Sequence, residues 1–557
     1  MERELLGYIL SGATTEEAYF QPLEQAEQVL REGMMVVIGD DNPYYAVVSR
    51  LEARSELYEP GDAWLESLRR GFKPPDQLSR SYLLAQLRIL GRLRGGELLS
   101  PDQPPRPGDP VYKAGRRDAS AMYGFSLDTP PERYIAIGGF YGYSLEELPA
   151  LLDLSAVTMH IAVIGVTGSG KSNTVGVIVE ELGGKNSIGS YRTLPAFIID
   201  ANGDYLDYYH DPSLVPAYTK VYRMVFPGSE ASSSPPPPSH RSIQEPILVD
   251  LNVFEPDELA ELITAYYQAG RIDGAEKQAQ LLQDTLLAFK RGVAAPAGCT
   301  GHDGVDYDCL LGTEEGVELL EAQLEESSID YHPATIAAAR RAVRLFHRRF
   351  STEIPIVPPS RRRARLDNSF IDRVTDPQAP SLVILDFSAE GATSVPLDAK
   401  QLVVYYLLRL LFQAFTSYRI RGLNRLALFV IEEAQNYAPN LSTYPVGFSL
   451  ARRILATVAT QGRKFGLSLV LVTQRPSYVD PVVMSMMNTF IIHRVAPRDA
   501  SYVDQVSGGL PPYIAKKLPA LERGLAVIAG QMNPLPVPVL TRIRKRRSHR
   551  IGGEPLL

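Results

Sequence analysis

The sequence predicts an α/β protein: a parallel sheet carrying a phosphate-binding loop, preceded by a small β-barrel and interrupted by a helical subdomain. Three observations predict it. Short apolar runs alternate with turn signals over residues 1–125. A glycine-rich loop ending in Gly170-Lys171-Ser172 stands between a strand pattern and a helix pattern. Strand signals then return after a block of helical periodicity at 253–365. A chain of 557 residues is also too long for one core, because single cores stop growing near ~250–300 residues. Two to four domains are expected.

In chain order, the runs Gly7–Ser11, Ala18–Leu23, Met34–Ile38, Tyr44–Ser49 and Tyr82–Leu90 are separated by Gly33, Gly39–Pro43, Gly95-Gly96 and the Pro-rich 101–110. Short strands at this spacing predict a barrel or sandwich over 1–125. From 126 to 252 the pattern is strand (His160–Ile164), glycine-rich turn, helix (Asn173–Leu182) and strand (Ala196–Ile199), which is the alternation of a parallel sheet. Residues 227–240, with four consecutive prolines, read as a loop.

The block 253–365 is helical. Pro256 suits a first helical position, and Leu259, Leu262, Ile263, Tyr266 and Tyr267 share one face. Glu276–Arg291 and Pro333–Phe350 behave alike. Over 366–540 the nearly unbroken apolar runs Leu382–Leu385, Leu426–Ile431 and Leu467–Val472 read as buried parallel strands. A basic tail, 541–557, follows.

Composition narrows the function classes. Apolar residues make up 45% and charged residues 22%, and the net charge is −7. This describes an ordinary globular chain rather than a wholly basic nucleic-acid glove, and leaves room for a locally basic channel. The apolar run Leu402–Leu408 meets Arg409, far short of the ~20 residues needed to span a bilayer. The opening Met1–Leu10 has no secretory pattern, so a cytoplasmic protein without a membrane partner is expected. Cys299 and Cys309 are expected to be free thiols in a reducing compartment, and with His302 they make no zinc-like ligand set.

Gly165-Val166-Thr167-Gly168-Ser169-Gly170-Lys171-Ser172 matches G-x-x-x-x-G-K-[ST] in full. Its glycines let backbone N–H groups point inward at phosphate oxygens. Lys171 reaches the β- and γ-phosphates, the Ser172 hydroxyl binds Mg²⁺, and the helix that follows presents its positive end. The expected ATP contacts are Gly165, Thr167, Gly168, Ser169, Gly170, Lys171, Ser172 and Asn173. The run Leu426–Ile431 ends in Glu432-Glu433, at the carboxyl edge where open α/β sheets bind ligands. Glu432 is expected at the Mg²⁺ through water, and Glu433 as the base that polarises the attacking water. Gln474, at the tip of Leu467–Val472, is placed to sense the γ-phosphate.

These residues resemble a known family. The phosphate loop with Asn173-Thr174-Val175, the strand end Glu432–Tyr437, Gly462-Arg463-Lys464-Phe465-Gly466 and Thr473–Ser477 are similar to HerA, the hexameric DNA translocase of the FtsK–HerA superfamily. The N-terminal region resembles that family's HAS-barrel, and Leu518–Val527 with Pro534–Val539 resembles its ending. The resemblance implies a RecA-like ATPase core with the helical insertion, assembled as a homohexameric ring around double-stranded DNA. It also implies a NurA-type nuclease as companion in end resection and recombinational repair. It gives Lys171 and Ser172 the phosphate and Mg²⁺ contacts, Glu433 the catalytic carboxylate, Gln474 the sensor and Arg463 the arginine finger acting in trans.

Asp200, with Asp204 after it, matches a second strand end that carries Asp-x-His-Gly-Glu in many relatives. Glu432 stands where Asp is commoner, Met159 where a basic residue is frequent, and Asn202 where His is frequent. The same motifs would serve a different class of protein, an ATPase scaffold in an antiphage complex with an effector nuclease or NADase. Candidate DNA contacts are the basic runs Arg361–Arg365, Lys516-Lys517 and Arg542–Arg550, all suited to sequence-independent phosphate binding.

Overall fold

The computed structural model describes the chain except for residues 1–2, 56–57, 59–62, 73–80, 184–192, 234, 268–275, 292–298, 302–303, 327–330, 444–448 and 549–557. Seven strands open the chain: β1 (Leu5–Ile9), β2 (Glu17–Pro22), β3 (Met35–Ile38), β4 (Tyr44–Arg54), β5 (Tyr82–Arg94), β6 (Glu97–Leu99) and β7 (Pro110–Lys113). They run in the order β2-β1-β7-β3-β4-β5-β6, and β2 also pairs with β5. That pairing closes six strands into an antiparallel barrel with β6 extending from β5. The long β5 shows the reason, because Ala85, Leu87 and Ile89 alternate inward against polar Gln86 and Arg88. Closure removes the unpaired edges an open sheet would expose.

The second sheet is built from β8 (Tyr134–Phe140), β9 (Pro149–Asp153), β10 (Ile161–Ile164), β11 (Ala196–Asp200), β12 (Lys220–Val225) and β13 (Ser242–Pro246) in its first part. A small hairpin, β14 (Thr300–Gly301) and β15 (Gly304–Val305), lies apart from it. The sheet resumes with β16 (Ser381–Asp386), β17 (Ala427–Ile431), β18 (Leu467–Thr473), β19 (Thr489–Ile492), β20 (Leu525–Gly530) and β21 (Val539–Ile543). Its twelve strands run β13-β12-β16-β11-β17-β18-β10-β19-β20-β21-β8-β9. From β13 to β19 every neighbour is parallel, and from β19 onward every neighbour is antiparallel.

The central strands are buried along their whole length, as their continuous apolar runs require. The inner strand β12 breaks that rule with Arg223, whose guanidinium is 2% exposed and pairs with the fully buried Asp386 at 2.7 Å. A buried charge is tolerated here because its partner is strand-adjacent and hydrogen-bonded.

Helices Pro256–Tyr267, Glu276–Lys290, Glu314–Glu326 and Pro333–His347 pack on one another through Leu281, Leu286, Leu320, Val343 and Phe346. Beside them Cys299 and Cys309 form a disulfide. The expectation of two free thiols is therefore wrong: the antiparallel pairing of β14 with β15 lies within the nine residues between the cysteines and folds the chain back until the sulfurs meet. His302 lies outside the described residues, and no metal-ligating cluster occurs among those described. Among them, too, no helix is long and apolar enough to cross a membrane.

Barrel and sheet share one core. Tyr143, in the turn between β8 and β9, donates its hydroxyl to Met35 O in the barrel and accepts from Ala114 N at 3.2 Å. Glu32 pairs with Lys517 at 2.5 Å across the same junction. The last strand extends to Ile543, past residue 540, and 544–548 then lie along the helix Lys171–Leu182.

Candidate active site

The phosphate loop leaves β10 and enters the helix Lys171–Leu182. Gly168 and Gly170 have φ of +75° and +122°, so both belong to the region that glycine enters without cost. Gly165 is required by space: a Cβ there would stand 2.7 Å from His493 Cβ. His493 lies beneath the loop, its Nδ1 2.9 Å from Leu525 O and its Nε2 2.8 Å from Thr174 Oγ1. A carbonyl can only accept, so Nδ1 carries the hydrogen and Nε2 accepts from the hydroxyl. Burial lowers this imidazole's pKa to about 4. It is a neutral prop for the loop.

Lys171 Nζ donates to Val166 O at 3.1 Å, folded back over its own loop. Burial lowers its pKa, opposed by the nearby carboxylates of Glu433, Glu432 and Asp204. Ser172 Oγ donates to Glu432 Oε1 at 3.5 Å, bringing the two expected metal-facing groups together. Glu432 also accepts from Tyr205 OH at 2.9 Å and from Ala201 N at 3.2 Å. Burial pushes its carboxyl well above the usual range, and neighbouring Asp200 and Asp204 push it further. A hydroxyl beside buried acids that resist ionisation suits a hard dication, which would favour the charged carboxylate. The donor set fits Mg²⁺.

Glu433 departs from the strand at φ +50°, an uncommon conformation for a side chain of its size. The turn swings its carboxylate across the strand ends. Gln474 Nε2 donates to both Glu433 oxygens at 3.2 and 3.4 Å, and Gln435 donates to Oε2. Gln474 Oε1 in turn accepts from Thr167 Oγ1 in the phosphate loop at 2.6 Å. Gln435 Oε1 accepts from Thr473 Oγ1 at 2.8 Å. One chain of hydrogen bonds thus runs from the loop tip through Gln474 to the Glu433 carboxylate and down to β18.

Other expected site residues stand elsewhere. Asp200 uses its carboxylate on four backbone amides, those of Asn202, Gly203, Asp204 and Tyr205, at 2.8–3.3 Å. It shapes the loop that brings Tyr205 to Glu432, and burial raises its pKa to about 7. Asp204 is part of that loop. Asn173 donates to Arg544 O at 2.8 Å and accepts from Arg546 N at 3.0 Å, so both its polar ends serve the C-terminal segment. Arg463 is exposed in the turn Gly462–Phe465 just before β18. Gln474 follows that strand, so Arg463 sits at the opposite edge of the sheet, ~20 Å away along β18.

Sequence reading missed His493, Tyr205 and Thr473 as supports of the site. Their signal was weak: each is a polar residue at or near a strand end, with nothing in its spacing to mark what it would touch.

The basic runs are partly engaged within the chain. Arg361–Arg363 form an exposed turn, and Arg365 lies 3.6 Å from Glu245. Arg544 pairs with Glu180 and Glu181, both fully buried, at 2.7 Å each. Arg550 lies outside the described residues.

Comparison with known proteins adds the lineage. Residues 135–411 match the model of the helicase HerA central domain. The chain belongs to the HerA helicase family. A DNA double-strand break repair helicase HerA of Sulfurisphaera tokodaii is 25% identical, over 99% of this chain and 95% of the relative. The Pyrococcus furiosus protein of that name is 27% identical, over 83% and 77%. The bacterial conjugative coupling protein TrwB aligns over 76% of this chain and 91% of its own, at 14% identity and a TM-score of 0.46. With its family, phosphate loop and strand-end acids, this HerA-family chain is an ATP-hydrolysing enzyme.

Proposed function

We propose that the chain is an ATP-driven translocase of double-stranded DNA, assembled as a six-membered ring and working with a NurA-type nuclease in the processing of broken ends. The relatives that align over most of the chain are named as helicases of double-strand break repair, which supports the DNA and repair parts of the reading. One observation carries the motor part: the hydrogen-bonded chain Thr167–Gln474–Glu433–Gln435. It connects the loop that grips phosphate to the carboxylate that would orient water, through a residue able to feel both.

In this reading the loop amides and Lys171 hold the triphosphate, releasing Lys171 from Val166 O. Glu433 accepts the proton of the attacking water. Gln474 redirects its Nε2 donor from Glu433 to an oxygen of the terminal phosphate, so Glu433 is repositioned only when that phosphate is present. Ser172 and Glu432 would hold Mg²⁺, which when bound would neutralise charge on the phosphates. Arg463 of a neighbouring subunit completes the site, which accounts for its exposure on the edge opposite its own phosphate loop.

The test measures ATP hydrolysis with and without linear duplex DNA, and mass in solution, for the wild type and Lys171→Ala. We expect hydrolysis stimulated by duplex DNA, a mass near six chains and no turnover in the variant. Turnover indifferent to DNA would instead favour the scaffold reading, and a monomer inert toward ATP would overturn both.

A further inference from the structure

The segment after β21 makes contacts that neither the phosphate loop nor the strand-end acids require. Residues 544–548 lie as a strap along one face of the helix Lys171–Leu182, formed by Asn173, Gly176 and Glu180 at helical spacing. Glu180 Oε1 accepts from Arg547 N at 2.6 Å and Ser548 N at 3.1 Å, while Arg544 bridges Glu180 and Glu181. Gly176 leaves the room: a Cβ there would stand 2.9 Å from Arg546 Cδ and 2.9 Å from Tyr208 OH.

Arg546 joins two walls of the site. Its backbone N–H donates to Asn173 Oδ1 at 3.0 Å, next to Ser172 at the start of the helix. Its guanidinium donates to Asp204 O at 2.6 Å. Asp204 belongs to the loop whose next residue, Tyr205, donates its hydroxyl to Glu432, and Glu432 accepts from Ser172. A closed circuit results: Ser172, Asn173, Arg546, Asp204, Tyr205, Glu432 and back to Ser172.

We propose that Arg546 is a positioning residue for ATP hydrolysis, clamping the phosphate-loop helix against the Asn202–Tyr205 loop and thereby setting where Ser172 stands relative to Glu432. Arg546 touches neither the phosphate loop itself nor Glu433, so its loss loosens geometry without removing a reacting group. The inference rests on the ATPase reading above. Small misplacements at a phosphoryl-transfer site are costly, because catalysis there is largely positioning.

The experiment compares wild type, Arg546→Ala, Arg546→Lys and Gly176→Ala for kcat, KM, affinity for a fluorescent ATP analogue, and hydrogen exchange over residues 171–182. Gly176→Ala displaces the strap with every tail residue intact and with a better helix former, so it decides the matter if Arg546→Ala does not fold. We expect Arg546→Ala and Gly176→Ala to lower kcat about tenfold, with KM and analogue affinity within about twofold. Exchange at the helix start should be faster in both, and Arg546→Lys, which keeps a donor on a long stem, should recover most of kcat. A folded Arg546→Ala or Gly176→Ala with wild-type kcat, or one altered only in KM, overturns the proposal. Lys171→Ala separates the two readings. If the wild type turns over, Lys171→Ala does not and the strap variants match wild type, only the role of Arg546 is lost. If the wild type itself is inert toward ATP, the underlying reading fails.

Discussion

At the scale of single residues, the site places the carboxylate proposed to orient water on an uncommon backbone conformation. Glu433 holds φ +50° and its carboxylate is gripped by two glutamine amides, one of which also binds the phosphate loop. Glu433→Gln should leave ATP binding intact and lower kcat by ~10²–10⁴, the usual range for a positioned general base. Binding of a fluorescent analogue alongside turnover checks this, and turnover near wild type would contradict the assignment. His160 allows a pH prediction. It sits at φ +63° before β10, its Nε2 2.9 Å from Ala459 O and its Nδ1 accepting from Leu469 N at 3.0 Å. Burial lowers its pKa from 6.5 to about 4, as it does for His493. Between those values the unfolded chain binds a proton that the native state refuses. Stability from each is therefore present above about pH 6.5 and lost as pH falls toward about 4, by at most about 3 kcal/mol. Asp200 works in the opposite sense, because its pKa is raised to about 7 and its share fades as pH rises through that value. His160→Asn keeps a side chain that tolerates positive φ. It should show a shallower fall in melting temperature between about pH 7.5 and 5 than wild type, and an equal fall would sink the argument.

At the scale of elements, legibility followed the physics of each signal. The strands β10, β11, β16, β17 and β18 were readable because strands buried on both faces must be apolar throughout. Barrel strands β1 to β5 were readable from alternation and turns, whereas the short β6 and β7 beside the Pro-rich 101–110 were not. Strand β12 was hidden by Arg223, whose pairing with Asp386 is a contact between strands far apart in sequence. The turn between β8 and β9 and the strap at 544–548 were equally silent, since neither has periodicity and both are shaped by what they touch. The phosphate loop was legible because its chemistry is local. The circuit through Tyr205 and Arg546 was not, because it joins segments hundreds of positions apart. The disulfide was misread from counting: two cysteines make no framework, yet the pairing of β14 with β15 brings them together. Under non-reducing denaturation the protein should show no titratable thiol. Cys299→Ser should weaken the insertion, by about 2–4 kcal/mol on the usual scale for such links, and leave kcat unchanged. Two reactive thiols per chain would refute the pairing.

At the scale of the whole molecule, Arg463 and the phosphate loop lie at opposite strand ends of one sheet, so under the proposed function a neighbouring subunit would have to complete the site. Arg463→Ala and Glu433→Gln should each be nearly inactive alone, while mixed assemblies regain part of the turnover, because some seams then pair an intact acid with an intact arginine. Mixtures no more active than the separate variants would argue against a shared site. The barrel is bound into the same core as the sheet through Tyr143 and the Glu32–Lys517 pair, so its role is better probed by surface substitutions than by deletion. The position of β21 has a further consequence. Val539–Ile543 lies between β20 and β8, so the hairpin β8–β9 is held in the sheet by residues made some four hundred positions later. During synthesis the early hairpin must wait, its partner still untranslated, and a chain cut short before that strand would emerge with an open sheet edge and no strap over its nucleotide helix. The order of translation thus leaves the hairpin β8–β9 without its neighbour in the sheet until β21 has been made.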